Sequence, residues 1–282
     1  MKEHAKICDA CTHYQKQNKE IDRILAKHVH EEANHLPENK QLRENVLHAP
    51  VKMIEPGNRI IALSGQLLLN VKMGKPTDDL EKSLAALSLN KLNSELNTDD
   101  AKKTFWINIY NAFFQVLASR NKKTRPRIFK EKLIAIVGKK FSLDEIEHGI
   151  LRKYRWKYSL GYFANPFTSK LIKQLSVSKI DFRIHFVLNC GAASCPPIAS
   201  YKLDTLNQQL DMATLSFLTS ETIMDADRKN ATVTRLMQWF KADFGGTAGI
   251  KKIIGKYLNI DVGDYKISYS KYDWEAYLNN FS

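Results

Sequence analysis

Two thiols stand five residues apart in HFVLNCGAASCPPI, the stretch from His185 to Ile198. Cys195 follows Ser194 and precedes Pro196 and Pro197, which predicts a helix entry: a capping hydroxyl, then a residue whose fixed φ suits the first turn. At a helix N-terminus the dipole and the free backbone N–H groups stabilise a thiolate, so the thiol becomes a nucleophile. Those N–H groups can also receive an oxyanion. Asn189, six residues before Cys195, is close enough to add its side-chain amide as an oxyanion donor. Thiol acyl transfer further requires a base. All eight histidines precede Cys195, and His148 and His185 are the two that fall in segments expected to join the core. His148 is the preferred base, because Glu147 beside it supplies an orienting acid and it comes from a separate element. His185 is held in reserve, and Asp273 in KYDWEAYLN is a second candidate acid. Cys190 is expected to play a supporting role. The plainer alternatives are that both thiols pack in the core or close their short loop as a disulfide.

A second pair, Cys8 and Cys11, lies near His4 and His13 in HAKICDACTH. The spacing resembles that of zinc ligands, yet no second CxxC or HxxxH closes the set, so neither a metal nor a cofactor is expected. Thr12 also places His13 one residue too far for the haem attachment pattern.

The elements that must position these residues follow from periodicity. Apolar residues at Ile21, Ile24, Leu25 and Val29 predict an amphipathic N-terminal helix, and Ile60 to Val71 and Leu80 to Leu96 read as two more. In AKKTFWINIYNAFFQVLASR one helical face carries Phe105, Trp106, Ile109, Phe113, Val116 and Leu117. Thr104, Asn108, Asn111 and Gln115 form a polar stripe on the same helix. If buried, that stripe must tie down the backbone of a neighbouring loop, the role expected of Asn108 and Asn111; the alternative is a solvent-facing stripe. FSLDEIEHGILR opens with a capping box, Ser142 and Glu145, and continues as a short helix bearing Glu147 and His148. FRIHFVLNC, within 181–190, is the strongest strand candidate, and its alternation would put His185 and Cys190 on opposite faces. Further helices are expected near 171–175, 203–218, 235–240 and 251–257, with strands near 231–233 and 265–269. Runs of helices with a few late strands indicate α+β rather than βαβ repeats.

Composition narrows the class. With 282 residues, 44% of them hydrophobic, the chain can bury a full core. Lys and Arg exceed Asp and Glu by 43 to 30, but the excess is scattered in pairs such as Lys122-Lys123 and Lys251-Lys252 and reads as a solvated face, with no specific nucleic-acid partner. The longest near-apolar stretch, IIALSGQLLLNV, is too short to cross a bilayer, and the first residues carry no signal-peptide core. As given, the chain is expected in the cytoplasm, or in a secreted or periplasmic setting if a leader was removed. Four cysteines in so long a chain are not a disulfide framework.

FWINIYNAFF, SLDEIEHGILR, RIHFVLNCGAASCPPI, WFKADFG and the late YDW together resemble, in order and over Leu80 to Phe281, the domain-of-unknown-function family 547. The resemblance implies no settled activity. It does imply relatives with secretory leaders, and plant members whose corresponding loop lacks the cysteines, so that the fold can serve as an interaction module. The cysteine loop is also similar to the approach to the nucleophile in papain-like and transglutaminase-like enzymes. In papain the base follows the nucleophile, so here the order would be permuted.

The resulting expectation is an α+β domain over 59–282, papain-like and possibly circularly permuted, in which a helical layer packs on a small antiparallel sheet. A helical extension covers 1–58. The domain would act as a cysteine hydrolase or acyltransferase on an amide or thioester bond of a peptide or acyl substrate. The alternative is a non-catalytic module that recruits a protein partner. Oligomeric state is not encoded in any motif.

Overall fold

The computed structural model describes residues 58–281. The expected N-terminal helix, the extension over 1–58 and the Cys8/Cys11 pair lie outside these residues, apart from Asn58, which caps the first helix described here. Helix α1 spans Arg59–Lys72, α2 Asp78–Ala85 and α3 Leu89–Glu95. The single helix expected over Leu80 to Leu96 is therefore two helices, because the Ser88 side chain accepts from the Lys91 backbone N–H and starts a new one.

Helix α4, Asp99–Ser119, is the axis of the domain. The Thr98 hydroxyl accepts from Ala101 N–H, and Asp99 and Asp100 in the first turn complement the dipole. Every residue from Thr104 to Leu117 is buried, so the helix is enclosed on all sides and its polar stripe lies inside. Helix α1 packs along it. A short helix α5, Arg127–Lys130, precedes a hairpin that sequence patterning did not reveal, β1 Ile134–Ile136 with β2 Lys139–Phe141. The capping box then forms as expected: Ser142 Oγ accepts from Glu145 N–H and the Glu145 carboxylate accepts from Ser142 N–H, both at 3.2 Å. What it caps is a π-helix, Glu145–Leu151, with bonds reaching five residues back from Arg152 to Glu147 and from Tyr154 to Gly149.

After α6, Lys170–Leu175, the segment expected to be a strand is instead a 3₁₀ turn, Phe182–Phe186. Its apolar run suits a tight turn as well as a strand. Asp181 decides between them: its carboxylate accepts from Arg183 N–H at 3.1 Å, and Ile184 N–H bonds back to Asp181 C=O. Opposite-face reasoning for His185 and Cys190 accordingly fails. Helix α7 spans Leu206–Glu221, and β3 Ile223–Asp225, β4 Asn230–Val233, α8 Leu236–Trp239, α9 Gly246–Leu258 and β5 Lys266–Tyr269 complete the chain. The class is α+β, but the antiparallel sheet expected is two sheets: the β1–β2 hairpin, and a mixed sheet in which β4 pairs antiparallel with β3 and parallel with β5.

Two apolar clusters hold the domain. One gathers α1, α4 and the π-helix around Trp106, Leu67 and Ile146. The other gathers Phe217, Val233, Met237 and Ile254. The 3₁₀ turn serves both, with Ile184 in the first and Phe186 in the second. The site described next lies along this seam.

Candidate active site

The buried stripe of α4 sets the loop in place. Asn111 donates to Val187 C=O and accepts from Asn189 N–H, both at 2.9 Å, and Asn108 makes the same two-way bond to the backbone of Tyr201. Gln115 accepts from Asn279 N–H at 3.1 Å. Three irregular backbone segments are thus satisfied by side chains of one helix, in place of a sheet ladder. The C-terminal segment covers the other side of the loop: Ala193 N–H bonds to Glu275 C=O, Tyr277 N–H to Gly191 C=O and Ile198 N–H to Asn280 C=O. Gly191, at φ +70°, lies so close to Phe114 that a Cβ would come within 2.5 Å of the ring.

Within this frame the two sulfurs lie 3.0 Å apart. No helix follows Cys195, so the dipole invoked for it is absent. The residue is 6% exposed, and its sulfur is instead surrounded by donors: the Cys190 thiol, the Tyr272 hydroxyl at 3.3 Å, and the N–H groups of Cys190 at 3.1 Å and Ala192 at 3.4 Å. The Cys190 thiol contributes most, and together the donors overcome burial to pull the Cys195 thiol down to about 6. The hydrogen bond to Cys195, then burial and the neighbouring charge, push Cys190 well up. The surroundings thus favour negative charge on Cys195 and keep the proton on Cys190.

Cys190 opens onto a cleft of about 550 Å³, a size suited to a small ligand. Tyr110, Glu147, His148 and His185 line it with an aromatic wall of Trp239, Tyr272 and Trp274, whose rings lie 4.6 to 5.5 Å apart. Burial, opposed by Arg152 and reinforced by Asp144, raises the Glu147 carboxyl to about 7, and Glu147 accepts from the Tyr110 hydroxyl at 3.1 Å. Behind these groups runs a buried network. Arg152 donates to Asp243 at 2.5 Å and to His148 Nδ1 at 2.9 Å, and Asp243 also accepts from His185 Nε2 at 2.9 Å. Phe240 stacks on His185 at 4.1 Å and sits beneath the Arg152 guanidinium at 4.3 Å.

The expected site residues differ in their surroundings. His148 spends its Nδ1 lone pair on Arg152, which can only donate, and Glu147 lies 3.7 Å from that nitrogen with its own bond to Tyr110. His185 is the ring oriented by a carboxylate: Nε2 donates to Asp243, so Nδ1 keeps the lone pair, and burial outweighs Asp243 to lower its pKa and hold it neutral. Asn189 uses both ends of its buried amide within the loop, donating to Pro196 C=O at 2.7 Å and accepting from Gly191 N–H at 2.8 Å, so it braces the loop. Asp273 is exposed and accepts from Glu275 N–H, away from either histidine. Asp243, Tyr110 and Tyr272 were missed by sequence reasoning. Asp243 did carry a signal, an acid set among the aromatics of WFKADFG, and Tyr110 sits between the two asparagines of the stripe. Among the described residues no group of three or more His, Cys, Asp or Glu is placed to hold a metal ion, and no helix is long and apolar enough to cross a membrane.

Residues 93–218 match the family described as protein of unknown function, DUF547. The DUF547 match is narrower than the Leu80 to Phe281 span of the motifs. It takes in α4, the π-helix, the 3₁₀ turn and both loop cysteines, and it leaves out Asp243, Trp239, Tyr272 and Trp274. Five of the nineteen residues that line the cleft thus come from chain beyond it. No curated protein and no solved structure matches the chain.

Proposed function

We propose that the cleft is a thiol active site for acyl transfer at an amide or thioester carbonyl, with hydrolysis the outcome when water is the acceptor. The observation that carries this reading is the pair of sulfurs 3.0 Å apart, one ringed by hydrogen-bond donors and the other opening onto a cleft beside the buried Glu147 carboxyl, raised to about 7. Cys190 lines the cleft and is the attacking sulfur; Cys195 stores the charge. As the Cys190 sulfur bonds to the carbonyl carbon, its proton passes to the Cys195 thiolate 3.0 Å away. The Tyr272 hydroxyl, 3.6 Å from the Cys190 sulfur, loses its anionic partner at that moment and is free to donate to the carbonyl oxygen as charge develops there. The adduct collapses, expelling an amine or thiol that takes the Glu147 proton. In the second half an acceptor O–H or N–H returns a proton to Glu147, the acyl–sulfur bond breaks, and Cys195 gives its proton back to Cys190. Neutral His185, held by Asp243, orients the acceptor through Nδ1. With base-bearing residues before the cysteines, the order is that of a permuted papain-like site.

A second reading is a dithiol–disulfide couple. It is favoured by the sulfur separation and by the backbone N–H groups from Asn189 to Cys195, all of which are already bonded, so the loop offers no backbone oxyanion hole.

The test is the pH dependence of iodoacetamide labelling, read by peptide mass. Cys190 labelling that rises through about pH 6, with an acyl adduct on Cys190 after a small thioester is mixed in, is the expected result. Labelling with an ordinary thiol profile near 8.5 refutes the reading. Disulfide formation with oxidised glutathione and no acyl adduct selects the second one.

A further inference from the structure

We infer that the flap between the π-helix and α6 docks this protein on an anionic lipid surface, and that the cleft takes its acyl substrates from that surface; this second part rests on the acyl-transfer reading. The flap is irregular but not loose. Arg155 and Ala164 form a β-bridge, Trp156 N–H bonds to Phe163 C=O at 2.9 Å and Asn165 N–H to Tyr154 C=O at 2.8 Å. At its turn Gly161, at φ +86°, sits where a Cβ would come within 2.5 Å of Asp243 and 2.9 Å of Arg152, which seats the flap on the buried network.

This fixed backbone turns its aromatic side chains outward. Phe167 is 87% exposed, Tyr158 74% and Phe163 69%, with Trp156 and Tyr162 beside them in sequence. Exposed aromatic surface of this extent marks an interaction site. From Lys153 to Ile180 the chain holds six Lys and Arg residues and no Asp or Glu, and Lys170, Lys173 and Lys179 among them are exposed. The acids that flank it are already engaged: Asp181 with Lys103 and Arg183, Asp144 with Lys157 and Glu145 with Lys132, while Glu147 lines the cleft. Aromatic rings set among cations without anions match the headgroup layer of an anionic bilayer: Trp and Tyr favour the interface, and each cation near the surface adds attraction. Position links the flap to chemistry. Lys157, Tyr158 and Leu160 also line the cleft, so an acyl chain leaving the bilayer along the flap enters the same cleft that Cys190 lines.

The full chain is tested by co-sedimentation with vesicles of mixed phosphatidylserine and phosphatidylcholine, and with phosphatidylcholine alone. Binding to the mixed vesicles only, weakened by salt, is expected. K170Q/K173Q, which removes two exposed cations, should weaken it about thirtyfold, roughly fivefold for each charge. F163S/F167S, with both side chains exposed and outside the cleft lining, should abolish it without changing the thermal midpoint. Absence of binding, or binding indifferent to F163S/F167S, overturns the inference. So does a dimer in solution that F163S/F167S dissociates, which would make a second copy the occupant. Soluble thioester turnover separates the two claims. Its persistence in F163S/F167S alongside lost vesicle binding supports docking, whereas vesicle binding without any turnover overturns only the acyl-transfer reading.

Discussion

Replacing Tyr272 by Phe removes one donor from the Cys195 thiolate while keeping the ring that packs on Trp239 and Trp274. Holding a thiol at about 6 instead of near 8.5 corresponds to roughly 3 kcal/mol in favour of the thiolate. That sum is net of burial, which opposes it. Four donors share the work, with the Cys190 thiol the largest contributor. Each is then worth about 1 kcal/mol or more, in keeping with hydrogen bonds to charged groups. Y272F is expected to raise the first thiol pKa by about one pH unit, and C190A by more. The assay is thiolate absorbance near 240 nm against pH, in a chain whose Cys8 and Cys11 are replaced by Ser so that the loop pair alone reports. Linkage gives the same shift a second signature. Because the folded pKa lies below the unfolded one, the thiolate's stabilisation is present above about 8.5 and is lost as pH falls through about 6. The stability gap between the wild type and Y272F should therefore widen as pH rises across that window. A first pKa unmoved in Y272F, or moved less in C190A than in Y272F, would show that the donors around the sulfur do not set its charge.

Glu147 has the opposite sign: its folded pKa is raised to about 7, so its contribution is present below about 4.3 and lost as pH rises through 7, and E147Q should gain up to about 3 kcal/mol relative to wild type near pH 8 and little near pH 5, measured by urea unfolding. E147Q should also lose turnover of amide substrates more than of thioesters, whose leaving group needs no proton; equal losses would remove Glu147 from the proton path. N111A strands a buried C=O at Val187 and a buried N–H at Asn189, a cost of about 2–4 kcal/mol in unfolding free energy, and it should broaden the pH profile of Cys190 labelling as the loop loosens. D243N leaves the Arg152 guanidinium buried beside a neutral amide, so a loss of about 3–5 kcal/mol is expected, with the His185 ring resonances in NMR reporting a changed tautomer.

What could be read from the chain, and what could not, divides along a physical line. The capping box at Ser142 and Glu145 is a local contract between two side chains and two N–H groups, and it formed as read. The stripe Thr104, Asn108, Asn111 and Gln115 was legible because helical period places those residues on one face, and burial of that face forced their amides to seek backbone. What the stripe would hold was visible only as a need, since its partners lie 76 to 164 residues away. The errors arose where one residue's side chain overrules a pattern. Alternation in FRIHFVLNC suited a strand, but with no neighbouring strand to complete a ladder, Asp181 and Asn111 captured the backbone instead. Ser194 and the two prolines suited a helix entry, but Ile198 N–H is drawn to Asn280 and the Ser194 hydroxyl accepts from Asp273 N–H, so the loop runs on extended against the C-terminal segment. The carboxylate expected to orient His148 was misjudged for a related reason. Glu147 is adjacent to His148 in sequence, yet adjacency on a π-helix does not aim a carboxylate at a ring, and the acid that does orient a histidine, Asp243, stands 58 residues from His185. Charge in this site is therefore a property of the packed whole. Arg152 takes the lone pair of one histidine and half of the carboxylate that orients the other, so a single guanidinium sets the hydrogen-bonding state of both rings.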